Sequence, residues 1–448
     1  TLQYEMSYTN ILEMLQLGGV PVKSAERGED DPLVVAGGPC AFNPEPLYAF
    51  FDTFMIGDGE EVMVQLHDVV RQCKKEGVSR EECLFRLAQL EGVYVPRFYE
   101  ATYHEDGTLA TFAPNRPGVP EKVRKCIVTD MDKAYFPTAL PVPYTQVIFD
   151  RVMLEIMRGC TRGCRFCQAG MLYRPVRERS VDHLVELAKE SIRKTGYEEL
   201  SLSSLSSGDY SCLHELSQKL NEALAEQRVS ISLPSLRIDS KIADSLVDTK
   251  KVKKTALTFA PEAGTQRLRD VINKGVTEQD LMNTLTDAFE NGWSAVKLYF
   301  MMGLPTETDD DLRGIAELAR AATARYYAVP KEKRGKGLRV TCSASVFVPK
   351  PFTPFQWCPQ DRLETVKDKQ QALRQYLNVR GVVFHWHESY LSRIEACFAV
   401  GDRRLADVLY RAWELGCLLD GWNECFHYDL WMQAFSDCGL DADFYAHR

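Results

Sequence analysis

Within eight residues the chain carries three cysteines at the spacing Cys160-x3-Cys164-x2-Cys167. They stand inside Glu155-Ile156-Met157-Arg158-Gly159-Cys160-Thr161-Arg162-Gly163-Cys164-Arg165-Phe166-Cys167. Thiolates this close together can converge on one metal centre, and Gly159 and Gly163 let the intervening chain turn tightly. Thiolates are the usual ligands of iron–sulfur clusters, which commonly take four. Three on one loop leave one iron without a protein ligand, and chemistry at a metal requires such an open position. A zinc site with a distant fourth ligand is the competing reading. Zinc loops more often pair two Cys-x2-4-Cys units, and no second pair of that kind follows here.

The motif, with the aromatic Phe166 before its third cysteine, resembles that of the radical S-adenosylmethionine (radical SAM) enzymes. The resemblance implies a 4Fe-4S cluster held by Cys160, Cys164 and Cys167. The remaining iron would be chelated by the amino and carboxylate groups of S-adenosyl-L-methionine. One electron passed through the cluster would then cleave the sulfonium to methionine and a 5′-deoxyadenosyl radical. Cluster potentials span about −700 to +450 mV, and this cleavage needs the reducing end, so an external one-electron donor of the flavodoxin or ferredoxin type is implied. Further cofactor-binding positions follow from the same resemblance. Ser207, Gly208 and Asp209 stand where the family has its amino-group motif, although the family's Gly-Gly-Glu-like pattern is here Ser206-Ser207-Gly208-Asp209. Ser235 and Arg237 correspond to groups that bind the methionine carboxylate or the ribose. Glu262 resembles the ribose-side acidic position, and Met301 and Gly303 the adenine-side segment.

These residues need a scaffold that brings them to one place. Between about 150 and 350 the sequence alternates strand and helix, with strands expected at 153–158, 199–205, 229–235, 255–260, 295–300 and 340–347. Val229, Ile231 and Leu233 alternate with Ser230 and Ser232, the period of a half-buried strand. Ser180 reads as a helix N-cap and Gly196 as the residue that ends that helix. Strand–helix alternation predicts a parallel sheet, and the expected fold is α/β: a partial (β/α)6 TIM-type barrel with its chemistry at the strand C-termini. The radical SAM core is placed at 150–355, after a connector at 126–149, and 356–448 is expected as a helical C-terminal extension.

Residues 1–125 read as helix, strand, helix, strand, helix, with helices expected at Glu45–Phe51 and from Glu61 to about Lys75. Strand ends at Gly37-Gly38-Pro39 and Gly57-Asp58-Gly59-Glu60-Glu61 are the kind of loops beside which open α/β sheets place ligands. This pattern resembles the last two units of a Rossmann-like cobalamin-binding domain, here truncated, of the kind fused upstream of many radical SAM barrels. The resemblance implies cobalamin as a further cofactor and methyl transfer as the reaction. No Asp-x-His-x-x-Gly cobalt-ligand signature is present. Methylthiolation of tRNA or a ribosomal protein is the alternative and would need a second cluster. Cys40, Cys73, Cys83 and Cys126, and Cys397, Cys417, Cys425 and Cys438, share no motif and read as core residues. A non-catalytic iron–sulfur protein or an RNA-binding protein is the alternative from another class.

Residues 158–179 hold six arginines and one acid, Glu178. This basic stretch reads as neutralising an anionic cluster and cofactor, as contacting a phosphate-rich substrate, or as a solvated loop. Alternation sets His385 and His387 on one face of an edge strand. The 448 residues carry 54 Lys+Arg against 63 Asp+Glu, a net charge of −9, which argues against a whole-molecule nucleic-acid footprint. Apolar content of 45% and charged content of 26% are those of a globular protein, and no apolar run approaches membrane-helix length. Few cysteines and no signal core lead to the expectation of a cytoplasmic, reducing setting. The first and last residues lie inside patterned segments, so the chain is expected to be a piece of a longer protein.

Overall fold

A computed structural model describes residues 1–145, 147–232, 238 and 257–447. The strands, in chain order, begin with β1 (Val35–Ala36), β2 (Thr53–Met55), β3 (Val93–Tyr94), β4 (Tyr99–Tyr103) and β5 (Leu109–Pro114). The cysteine region contains β6 (Val152–Glu155), β7 (Met157–Arg158) and β8 (Arg177–Glu178). The barrel continues with β9 (Glu199–Ser203), β10 (Ser230–Ser232), β11 (Leu257–Glu262), β12 (Ala295–Met302), β13 (Arg339–Val346) and β14 (Val382–Trp386).

The barrel strands form two parallel arcs among the described residues. One has the order β10-β9-β6, the other β11-β12-β13-β14. Along β12, Val296, Leu298, Phe300 and Met302 are buried while the intervening residues are half-buried. The buried face packs with Leu281, Leu285 and Phe289 of the helix Glu278–Glu290, and with Ile315, Ala319 and Ala322 of the helix Asp309–Ala328. The helix expected from Ser180 to Gly196 forms after β8 as Val181–Thr195. Ser180 accepts from the His183 amide, and Gly196 takes the left-handed conformation at the C-terminus.

The region after 355 is mostly helical, as expected, and its edge strand β14 runs parallel to β13 in the register Cys342↔Phe384, adding to the barrel wall. His385 lies on this edge strand and His387 just beyond it. In the N-terminal unit the expected helix at Glu45–Phe51 is only a 3-10 turn, Glu45–Leu47, and the chain continues in a further tight turn in which the Phe50 amide donates to the Leu47 carbonyl at 3.0 Å. The helix Val62–Glu76 forms as expected, followed by a further helix, Arg80–Leu87.

The N-terminal unit is a three-stranded sheet, β1-β2-β3, with β1 and β2 parallel and β3 antiparallel. Its core is shared with the other end of the chain. Phe50, Phe54, Leu84 and Val95 belong to one cluster with Ile394, Leu409, Ala412 and Phe435. The helix Tyr8–Leu17 packs on the helix Leu405–Glu414. The polar ties agree: Lys350 bridges Glu5 at 2.6 Å and Glu395 at 2.9 Å. The connector is likewise docked, with Val128, Met131 and Ala134 buried.

Candidate functional site

The three cysteines follow β6 and lie on a loop closed at its base. Met157 and Arg158 of β7 pair antiparallel with Glu178 and Arg177 of β8. The turn into the loop requires Gly159. Its φ is +93°, and a Cβ there would stand 2.7 Å from the Tyr173 carbonyl oxygen. The Cys167 amide donates to the Cys164 carbonyl at 3.1 Å, and the Gly170 amide donates to Cys167 Sγ at 3.4 Å. Burial pushes the Cys167 thiol above its ordinary value; the Gly170 amide and Lys274 oppose the rise, and Cys160 and Glu262 add to it.

The loop is bound to the opposite arc of the barrel. Phe166 packs on Ala263, Leu268, Ile272, Leu304, Phe347 and Phe355, beside Met301. This small core gathers segments that follow the C-termini of β11, β12 and β13. The Arg165 amide donates to the Ile272 carbonyl at 2.9 Å, and Asn273 Nδ2 donates to the Gly163 carbonyl at 2.9 Å. Phe166, Met301 and the cysteines therefore meet at the strand C-termini, where barrels carry their chemistry.

The other expected positions fall near the same mouth. Asp209 ends a 3-10 turn, Ser207–Asp209, after β9. Its carboxylate takes a forked contact from Arg162 of the cysteine loop, with Nε at 3.0 Å, and accepts from Ser206 Oγ at 2.8 Å. Ser207 is buried and its hydroxyl meets that of Ser204 at 2.9 Å. Glu262 closes β11 with φ +67° and pairs with Lys274 Nζ at 3.1 Å. Burial raises the Glu262 carboxyl while Lys274 opposes the rise. Gly303 donates its amide to Glu307 Oε1 at 2.9 Å, and Glu307 pairs with Lys369 at 2.7 Å. Ser235 and Arg237 lie outside the described residues.

Among the described residues no three His, Cys, Asp or Glu side chains are gathered tightly enough for a single ion. A cluster asks something different, because each thiolate binds its own iron. Three half-buried thiols on one closed loop, none in a disulfide, fit that donor set. The remaining cysteines are dispersed. Cys397 and Cys417 are in the shared core, Cys73 and Cys83 face each other, and Cys126 Sγ meets the Glu91 carbonyl.

The basic stretch does something the sequence reading did not weigh. All six guanidiniums donate to oxygens of the chain itself: Arg158 to Glu155, Arg162 to Asp209, Arg165 to Val271, Arg174 to Arg162, Arg177 to Val128 and Arg179 to Met131. They tie the loop to its surroundings; Arg158, Arg162 and Arg177 pair with carboxylates, while Arg165 and Arg174 stay exposed on backbone carbonyls. Lys274 and Asn273 were not singled out in the sequence either, since Asn273-Lys274-Gly275 matches no motif and gains meaning only beside Glu262 and Gly163.

The N-terminal strand ends do not fit a corrinoid. Beyond the ends of β1 and β2 there is a cavity of about 30 Å³ lined by Gly38, Gly57, Asp58, Lys125, Tyr173 and Arg174. That is space for a water or two. The glycines serve the chain's own backbone: a Cβ on Gly57, at φ +109°, would stand 2.2 Å from the Cys126 carbonyl oxygen.

Comparison with known proteins agrees with the loop and barrel. Residues 154–319 match the model of the radical SAM superfamily, and residues 1–96 match that of the N-terminal region of radical SAM proteins. An uncharacterised protein of Methanocaldococcus jannaschii, MJ0966, is 32% identical over 442 residues, 98% of this chain and 85% of its own length. The chain belongs to the radical SAM superfamily. Among solved structures, the cobalamin-dependent radical enzyme OxsB aligns at 13% identity with a TM-score of 0.45, covering 96% of this chain and 60% of that one. The radical SAM methyltransferase TsrM from Kitasatospora setae aligns at 13% identity with a TM-score of 0.33, covering 86% and 62%. The radical SAM chain thus spans less than two thirds of either enzyme. No helix among its described residues is long and apolar enough to cross a membrane.

Proposed function

We propose that this chain binds a 4Fe-4S cluster through Cys160, Cys164 and Cys167 and cleaves S-adenosylmethionine reductively to modify an unactivated carbon. When bound, the cluster supplies one electron, taken from a flavodoxin- or ferredoxin-type donor, that breaks the sulfonium C–S bond to give methionine and a 5′-deoxyadenosyl radical. The observation that carries this reading is the seat of the cysteine loop. Phe166 docks it onto the segments following β11, β12 and β13, with Asp209, Glu262 and Met301 at the same mouth.

In this reading the cysteines hold the iron. The Ser207–Asp209 turn faces the amino group of the nucleotide, Glu262 the ribose, and Met301 with Gly303 the adenine; Ser235 and Arg237 complete the set. Arg162 orients Asp209, and Lys274 pairs with the buried Glu262 and opposes the rise that burial imposes on its carboxyl. Radical modification with methyl transfer would add cobalamin, and methylthiolation would add a second cluster. The β1 and β2 ends are packed by Cys126 and leave space for water only. RNA or a ribosomal protein as substrate stands as a proposal; the acidic net charge does not favour RNA.

Cys164→Ala tests the reading. After anaerobic reconstitution the variant is expected to lose the brown chromophore, most of its iron and all 5′-deoxyadenosine formation. Wild-type rates of deoxyadenosine formation from that variant would refute the assignment.

A further inference from the structure

The stem of the cysteine loop is held from outside the barrel. Arg158 and Arg177 face each other across β7 and β8, two residues before Cys160 and ten after Cys167. A single carboxylate of the N-terminal unit, Asp58, reaches both. Its Oδ1 meets Arg158 Nη1 at 3.0 Å, and its Oδ2 meets Arg177 Nη1. Oδ2 also accepts the Val128 amide at 2.8 Å. Glu60 adds a second contact to Arg158 Nη2 at 2.8 Å. The partners are withdrawn from water: the side chains of Asp58, Arg158 and Arg177 are 8%, 14% and 7% exposed.

The strand end is shaped for this contact. The Asp58 amide donates to the Cys126 carbonyl at 3.0 Å, and Cys126 in turn donates to Ile56 at 2.9 Å. Gly57 permits that approach, since any Cβ there would overlap the Cys126 carbonyl. The Gly-Asp-Gly-Glu loop is thus a rigid presenter of two carboxylates to the loop stem, at the place where a sheet of this kind would otherwise offer its ligand site.

We propose that Asp58, assisted by Glu60, is a positioning residue for the cluster: it staples both stems of the cysteine loop and so fixes the geometry and the charge around the three thiolates. The proposal rests on the radical SAM reading above. Two arginines beside an anionic cluster would draw it toward a higher potential. Asp58 and Glu60 offset that pull and also keep the stems in register. Groups that hold metal ligands in place without touching the metal typically change affinity or activity by about 10–100-fold when removed.

The test uses the full chain, reconstituted anaerobically with iron and sulfide, as wild type, Asp58→Asn and Asp58→Glu. D58N is expected to retain its circular dichroism spectrum. It should shift the EPR signature of the reduced cluster and its midpoint potential, and lower 5′-deoxyadenosine formation about tenfold. D58E should recover part of each change. A D58N protein with the wild-type EPR spectrum, potential and cleavage rate overturns the proposal. If D58N does not fold, Glu60→Gln on the outer side of the same network carries the test, and E60Q readings identical to wild type overturn it. Wild-type protein that fails to cleave S-adenosylmethionine would defeat the parent reading instead, so the two failures are distinguishable.

Discussion

At Asp58 two opposing effects meet on one carboxyl. Burial alone would raise it, but the Val128 amide and the Arg177 and Arg158 guanidiniums outweigh burial and hold it below the usual carboxylate range. A depressed native value means that the unfolded chain binds the proton more readily. The stability this group contributes is therefore present above about pH 4, the unfolded value for Asp, and is lost as acid is taken through the lower native value. The difference in unfolding free energy between wild type and D58N should stay level from about pH 8 to about pH 5 and close below about pH 4. A difference that persists unchanged at the acid end, in urea titrations across pH, would show that the carboxylate charge is not what the stem relies on. Asp58 also marks where sequence reading stops. The cysteines were legible because their spacing is local, and Phe166 because it stands within the same run. Asp58 and Arg158 are separated by 100 positions and are joined only by tertiary structure. The same is true of Lys274, whose partner Glu262 lies on the preceding strand.

Among the elements, the helix Asp309–Ala328 shows how a strand end is anchored. Asp311, in its first turn, accepts from the Thr308 amide and hydroxyl at 2.8 Å each, forming a capping box. It also accepts from Thr265 and Arg267, in the segment that leaves β11 next to Glu262. One carboxylate thus caps a helix and fixes the chain beside the site. Asp311→Ala is expected to destabilise the protein by about 2 kcal/mol and to loosen the 263–273 segment. Chemical denaturation and amide exchange over that segment would measure both; a loss under about 0.5 kcal/mol would show the cap to be dispensable. The barrel strands were legible because each pairs a short apolar run with a helix of clear period, as at Val296, Leu298 and Phe300. β14 was legible as an edge strand from the alternation at His385 and His387, but its pairing with β13 was not, because the half-exposed Val382–Trp386 carries no signal of which strand it joins.

The whole molecule is organised by a core that sequence patterns do not reveal. Phe54 of the N-terminal sheet and Leu409 of a C-terminal helix are both fully buried in one cluster, although 355 positions separate them. Periodicity reports that each face is apolar but not which face covers it, and so the C-terminal helices read as an appendage. Leu409→Ala should cost about 2–5 kcal/mol. Amide exchange should rise together in the N-terminal strands and in the helices Ser389–Val400 and Tyr428–Asp437. Faster exchange confined to the C-terminal helices would mean that the two ends are only loosely joined. The barrel and its stapled loop are then carried between two segments that stabilise one another.

A ribosome delivers these two segments far apart in time. The sheet of residues 35–94 emerges with its apolar face bare, well before the helices that cover it, from Ser389 onward. Long-range pairings of this kind are slow and leave sticky intermediates exposed. Nascent chains of this protein should therefore depend on holding chaperones until the helices from Ser389 onward have emerged, and removing those helices should yield aggregates rather than a smaller working enzyme.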